Sequence, residues 1–244
     1  GVDEVRRLTP FFGMALPDGG HRAVIVDSAD EMNPNAANAL LKILEEPPAR
    51  SVLFLISHRP ARLLPTIRSR CRTLRFDTLA PADLNAALAA AGHTADAALA
   101  ELSGGSVGEA IRLAQDDGAA LYNALIALLG TAPNMDRARA RALADTCSGR
   151  GAEARYDLTL RLIDLALARM ARAGLGLLPP EAAPGEAATL ARLSPSPHAA
   201  RIWAQLAETM AARARHGRAV NLDPPVLILD LLLAINAAAG DAQR

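Results

Sequence analysis

The chain has 244 residues, of which 51% are hydrophobic and 21% charged, and its formal net charge is +0. That balance is enough for a substantial core, excludes a disordered chain, and provides no overall attraction for nucleic acid or acidic membranes. Two cysteines, Cys71 and Cys147, cannot by themselves form a disulfide framework or a zinc site. With no signal peptide, lipidation motif or apolar run of about 18 residues, the default expectation is a soluble cytoplasmic protein away from the membrane.

Val2, Val5 and Leu8 repeat at helical spacing directly after Gly1, with no initiator Met. The expectation is a piece lacking its N-terminal region. Asp18-Gly19-Gly20 reads as a turn. Ala23-Val24-Ile25-Val26 is a short apolar run suited to a strand buried on both faces of a parallel sheet. Asn33 and Pro34 then open a helix as N-cap and first-turn residue, with Ala36, Ala37, Leu40, Leu41 and Leu44 inward and Pro47-Pro48 as the stop. Val52-Leu53-Phe54-Leu55-Ile56 reads as a second buried strand. A short helix around residues 66–70 follows, and residues 72–76 suit a third strand. Strand, helix and strand in this order predict a right-handed parallel α/β unit. Without its preceding part, such a sheet should show exposed apolar surface and an unpaired edge.

From Leu79 onward no strand pattern is found. Residues 81–91, 94–102 and 106–115 read as three short helices. Longer ones follow at 119–129, 134–146 and 152–173, then a linker at 174–185 rich in proline and glycine, then helices at 198–215 and 224–239. The predicted organisation is α/β plus all-α: an α/β domain over 1–77, a small helical domain over 78–118 and a helical bundle over 119–244.

Five blocks carry chemistry. The run Val24-Ile25-Val26-Asp27-Ser28-Ala29-Asp30 is an apolar strand ending in an acid, which either caps a turn or reaches a magnesium ion as a Walker B aspartate does. Asn33 to Pro48 contains Asn38, Lys42, Glu45 and Glu46, identities that an amphipathic helix alone does not require. Leu64-Pro65-Thr66-Ile67-Arg68-Ser69-Arg70-Cys71 ends in a serine–arginine–cysteine triplet. Around it stand Arg50, Arg59, Arg62, Arg68, Arg70, Arg72 and Arg75, with no acid between Pro47 and Asp77. Such a cluster is a solvated face, a subunit interface or a patch near phosphates. Leu102 to Ala110 and the terminal apolar stretch Leu227 to Leu233 complete the set. Cys71 and Cys147 read as small packing residues.

Together these blocks resemble the bacterial clamp-loader family of AAA+ proteins, most specifically over Asp27 to Cys71. The resemblance implies a partial AAA+ (P-loop NTPase-like) sheet domain, a three-helix lid and a helical collar that holds subunits in a ring. It implies that Arg70 is an arginine finger acting in trans on ATP and Mg bound by the neighbouring subunit, with Ser69, Arg70 and Cys71 at that interface. The finger's chemistry needs arginine, a fixed guanidinium that neutralises charge on the transferred phosphoryl, and is worth roughly 10³–10⁵ in rate. Asp27 would be a vestigial Walker B residue. Active relatives have glutamate where this chain has Ser28 and an arginine where it has Gly108, and no G-x-x-x-x-G-K-S/T sequence occurs in these residues. The family reading is therefore a non-hydrolysing, delta-prime-type subunit of the DNA polymerase III holoenzyme, binding no cofactor in this stretch. Its implied partners are the gamma/tau and delta subunits, the sliding clamp and primed DNA. The alternative is an active gamma/tau-type ATPase motor.

Overall fold

Asn33 sets the geometry of the first part of the chain. Its Oδ1 accepts the backbone N–H of Ala36 at 2.9 Å, and Pro34 occupies the first turn, where a missing N–H costs nothing. The computed structural model describes residues 2–14, 20–94, 97–149 and 151–242. It divides into two compact units, Gly1–Phe76 and Asp77–Arg244. The expected turn at Asp18-Gly19 lies outside the described residues, as do positions 95–96 of the helix expected at 94–102.

In the first unit, α1 (Val2–Arg6) and α2 (Leu8–Gly13) precede β1 (Arg22–Val26), and a 3-10 turn at Ala29–Glu31 leads to α3 (Pro34–Glu45). Then come β2 (Ser51–Leu55), a second 3-10 turn at Pro60–Arg62, and α4 (Pro65–Arg68). β1 and β2 pair in parallel, with Ala23 opposite Val52 and Ile25 opposite Phe54. α1 and α3 supply the core: Val5, Ala36 and Leu40 are buried, with Leu8, Met32, Leu44, Leu53 and Leu55 packed around them.

Three expectations need correction here. The strands are not buried on both faces. Both alternate between half-buried and exposed positions, because helices cover one side only, so Ile25 is 68% and Phe54 53% exposed. Residues 72–76 form no third strand; the sheet holds β1 and β2 alone among the described residues, and Phe76 is 87% exposed. A strand is defined by its hydrogen-bond ladder, and among the described residues none joins this segment to β1 or β2. In α3 the fully buried positions are Ala36, Ala37, Leu40 and Ile43, whereas Leu41 and Leu44 are half-buried.

The second unit is helical: α5 (Pro81–Ala90), α6 (Ala97–Leu102), α7 (Val107–Gln115), α8 (Gly118–Leu129), α9 (Arg137–Asp145), α10 (Glu153–Ala173), α11 (Glu186–Leu193), α12 (Pro197–Ala219) and α13 (Pro224–Ala242). Side-chain caps start several of them: Ser106 accepts from Glu109 N–H, Asp136 from Ala138 and Arg139, and Ser196 from Ala199. One large core runs through this unit. Leu99, Leu102 and Leu113 of the short helices join Tyr122, Leu129, Trp203 and Ile235 of the long ones.

α11 is absent from the sequence expectation. Its first residue, Glu186, is fully buried and ionically paired. Oε1 accepts from Tyr122 Oη at 2.5 Å and from Arg169 Nε at 2.7 Å, and Oε2 accepts from Arg169 Nη2 at 3.1 Å and Ala182 N–H at 2.7 Å. Arg169 also donates to the Pro180 carbonyl. The proline-rich stretch after α10 is therefore bound to the core by named contacts. Burial, reinforced by the bond to Glu186, pushes the Tyr122 hydroxyl above its ordinary pKa and keeps it neutral. The apolar C-terminal stretch also exceeds expectation. α13 is long and apolar enough, by length and composition, to cross a membrane, yet Leu227, Ile228, Leu231, Leu232 and Ile235 are buried in the bundle core.

Candidate functional site around Arg70

α4 is a single turn that begins with Pro65 and is anchored by Ile67, which is almost fully buried. It packs against α3. The chain leaves it through Ser69, Arg70 and Cys71, and the first two of these converge on one carbonyl. Ser69 Oγ donates to the Thr66 oxygen at 3.1 Å, and Arg70 Nη1 donates to the same oxygen at 2.9 Å. The Arg70 guanidinium also reaches the last residue of α3, with Nη2 lying 3.0 Å from Glu45 Oε1. Its side chain is 36% exposed. A planar, permanently charged fork thus sits at the surface with two of its three nitrogens engaged and further N–H groups left to donate. Cys71 is half-buried, and burial pushes its thiol above the ordinary value, so it is a neutral packing residue.

At the ends of the two parallel strands, Asp27 is exposed. Ser28 adopts φ 54° and ψ 50°, a left-handed conformation unusual for a residue with a side chain, and starts the 3-10 turn without a side-chain cap. The turn is stitched to β2's exit: Ile56 N–H donates to Val26 O at 3.0 Å, and Ala29 N–H donates to Ile56 O at 2.8 Å. The acid that the fold encloses here is Asp30, whose side chain is 1% exposed. It accepts from His58 N–H at 3.1 Å and lies 3.6 Å from Arg59 Nε. Covering the carboxyl alone would raise its pKa. The bonds from the His58 and Asp30 backbone N–H groups, the nearby Ser57 hydroxyl and the Arg59 charge outweigh that and hold it below its ordinary value.

The structure thus brings Arg70 to Glu45 and, with Ser69, to the Thr66 carbonyl, while no contact joins Asp27 to them among the described residues. Two residues gain roles that spacing does not reveal. Glu45 belongs to a motif whose identities the helix pattern left unexplained, and it meets Arg70 only through the packing of α3 on α4. Asp30, rather than Asp27, is the structural acid of the strand ends. The arginine cluster is also less uniformly free than its composition implies, because Arg59 faces Asp30 and Glu31 while Arg70 faces Glu45. Gly108 lies exposed at the start of α7 with open space where a side chain would stand. Among the described residues, no group of three or more His, Cys, Asp or Glu side chains is placed to hold a metal ion.

Comparison with known proteins gives a consistent set of similarities. Residues 1–80 match the family described as DNA polymerase III, delta subunit. The DNA polymerase III subunit delta' of Pseudomonas aeruginosa is 57% identical over 70 residues, which is 29% of this chain and 21% of that protein. The subunit delta' of Escherichia coli is 43% identical over 123 residues, 48% of this chain and 36% of that protein. The chain thus spans about a fifth to about a third of these relatives' length. In three dimensions the chain is similar to a DNA polymerase III gamma subunit-related protein from Thermotoga maritima. The TM-score is 0.51 and the identity 19%, over 98% of this chain and 80% of that one, a likeness of fold.

Proposed function

We propose that this chain, whose residues 1–80 match the DNA polymerase III delta-subunit family, is a delta-prime-type clamp-loader subunit that assists ATP-driven loading of a sliding clamp during DNA replication. In this reading ATP and Mg are held by the adjacent subunit, and Arg70 acts on them from outside. The observation that carries it is the placement of Arg70: a guanidinium at the exposed exit of a rigidly anchored turn, oriented by Thr66 and Glu45. Such a group supplies charge to the transferred phosphoryl without itself exchanging protons. Ser28 offers no carboxylate to orient an attacking water, and Asp30 is occupied in joining the strand-end loops. The chain therefore fits a partner in catalysis better than a motor. Residues 78–118 take the place of the lid, and residues 119–244 that of the collar through which the subunits assemble; primed DNA is met by the ring as a whole.

The test compares ATP turnover by loaders assembled with the wild-type protein and with Arg70→Ala, in the presence of clamp and primed DNA. Assembly is checked to be equal in both. Turnover at the site facing this subunit should fall by roughly 10³-fold or more. Unchanged turnover would remove the trans role, and ATP hydrolysis by this protein alone would make it a gamma/tau-type motor instead.

A further inference from the structure

We propose that Glu45 is the positioning residue for Arg70, holding the guanidinium in the direction from which it meets the neighbour's phosphates. The inference rests on the reading of Arg70 given above. Two anchors converge on the side chain from different elements: the Thr66 carbonyl, from the turn that carries Arg70, and the Glu45 carboxylate, from the end of α3. The Thr66 contact is local and would follow the turn wherever it went. The Glu45 contact is not local. α3 is fixed by its buried Ala36, Ala37, Leu40 and Ile43, and α4 by Ile67, so the carboxylate is held at a set place relative to the arginine.

The chemistry favours orientation over sequestration. An arginine has five N–H donors, and the two observed contacts leave others to reach an incoming phosphate. An exposed ion pair is weak and screened by salt, so it cannot keep the charge from a stronger anion. It can, however, restrict a long side chain that otherwise samples many rotamers before docking. This also accounts for a glutamate in the Leu44-Glu45-Glu46-Pro47-Pro48 motif, where helix formation alone asks for nothing specific. Glu45 closes the last turn of α3, and the two prolines turn the chain away directly after it.

The experiment measures ATP turnover by fully assembled loaders carrying Glu45→Ala, Glu45→Gln, Arg70→Ala, and the double variant Glu45→Ala with Arg70→Ala. Subunit assembly and thermal unfolding are followed for each. Glu45→Ala should lower kcat by about 2- to 5-fold, the scale of an exposed pair. KM for ATP should stay unchanged, because the nucleotide is bound by another subunit. Glu45→Gln, which keeps an acceptor oxygen but loses the charge, should fall between the two. In the Arg70→Ala background, loss of Glu45 should have no further effect. An unchanged or raised kcat in Glu45→Ala, or a further loss in the double variant, would overturn the positioning role while leaving the Arg70 reading intact. An Arg70→Ala loader with full turnover would sink that reading, and this inference with it.

Discussion

Asp27 and Asp30 stand one turn apart and differ in almost every physical respect. Asp27 is exposed, while Asp30 is enclosed by backbone donors from its own turn and from the exit of β2. Because the folded pKa of Asp30 lies below the unfolded value of about 3.8, its ionised form stabilises the fold above that value. The contribution is lost as pH falls from there through the lower folded pKa. Asp30→Asn should therefore lower the melting temperature at about pH 6, and the gap to wild type should close progressively below about pH 4. Melting curves at several pH values measure this, and a gap that stays constant into acid would contradict it. At this scale the sequence is only partly legible. The Ser69-Arg70-Cys71 triplet is visible as a motif, and Asn33 as a cap follows from its place before Pro34. The pairing of Arg70 with Glu45 is not, since it depends on how α3 and α4 pack and neither side chain has a periodicity that points to the other. Asp30 is hidden for a similar reason: its donors come from His58 and Arg59, on the far side of β2.

Among elements, the clearest contrast is between the two faces of the sheet. Leu40 of α3 is 0% exposed beneath one face, whereas Phe54 of β2 lies more than half open on the other. Leu40→Ala should cost about 2–5 kcal/mol through lost transfer energy and the cavity it leaves. Phe54→Ala should change stability by only about 0.5 kcal/mol, as an exposed substitution does. Chemical denaturation of the two variants tests this, and equal losses would mean that the open face is covered. Both strands were legible from their apolar runs, but a continuous run states only that burial is tolerated on both sides. What covers each side is decided by the elements available. α11 shows the opposite failure. Its eight residues carry only Leu190 and Leu193 as strong apolar markers, and its start at Glu186 looks like a solvent-facing acid. Tertiary pairing with Arg169 and Tyr122 reverses that appearance, because a charge is buried only where it is paired.

For the molecule as a whole, the buried clusters are very unequal. The small α/β unit centres on Val5, Ala36 and Leu40, while the helical unit has a small cluster at Leu84, Leu88 and Ala110 and one large core extending from Leu99 to Ala242. Trp203, the single tryptophan, is fully buried in that large core, and its Nε1 donates to the Leu193 carbonyl at 2.9 Å. Its fluorescence therefore reports on the helical unit, whereas far-UV circular dichroism reports on both. On titration with urea, the dichroism should begin to change before the fluorescence, because non-coincident probes reveal units that open separately. Superimposable curves would show the chain unfolding as one body. The division into an α/β portion followed by helices was legible from the switch in hydrophobic period near Leu79, since strand-like runs stop there.

The parallel ladder has a temporal consequence. Every pair in it, from Arg22 with Ser51 to Val26 with Leu55, joins residues separated by the whole of α3. No part of this sheet can zip from a hairpin, so the intervening chain must be gathered before the first inter-strand bond is made. Helices such as α8 and α10 can begin from contacts within a few residues. During refolding of the whole chain, α/β pairing should thus follow the formation of those helices. The interval before it is when Val24, Leu53 and Leu55, which the folded unit half-buries, are most available to other unfinished chains.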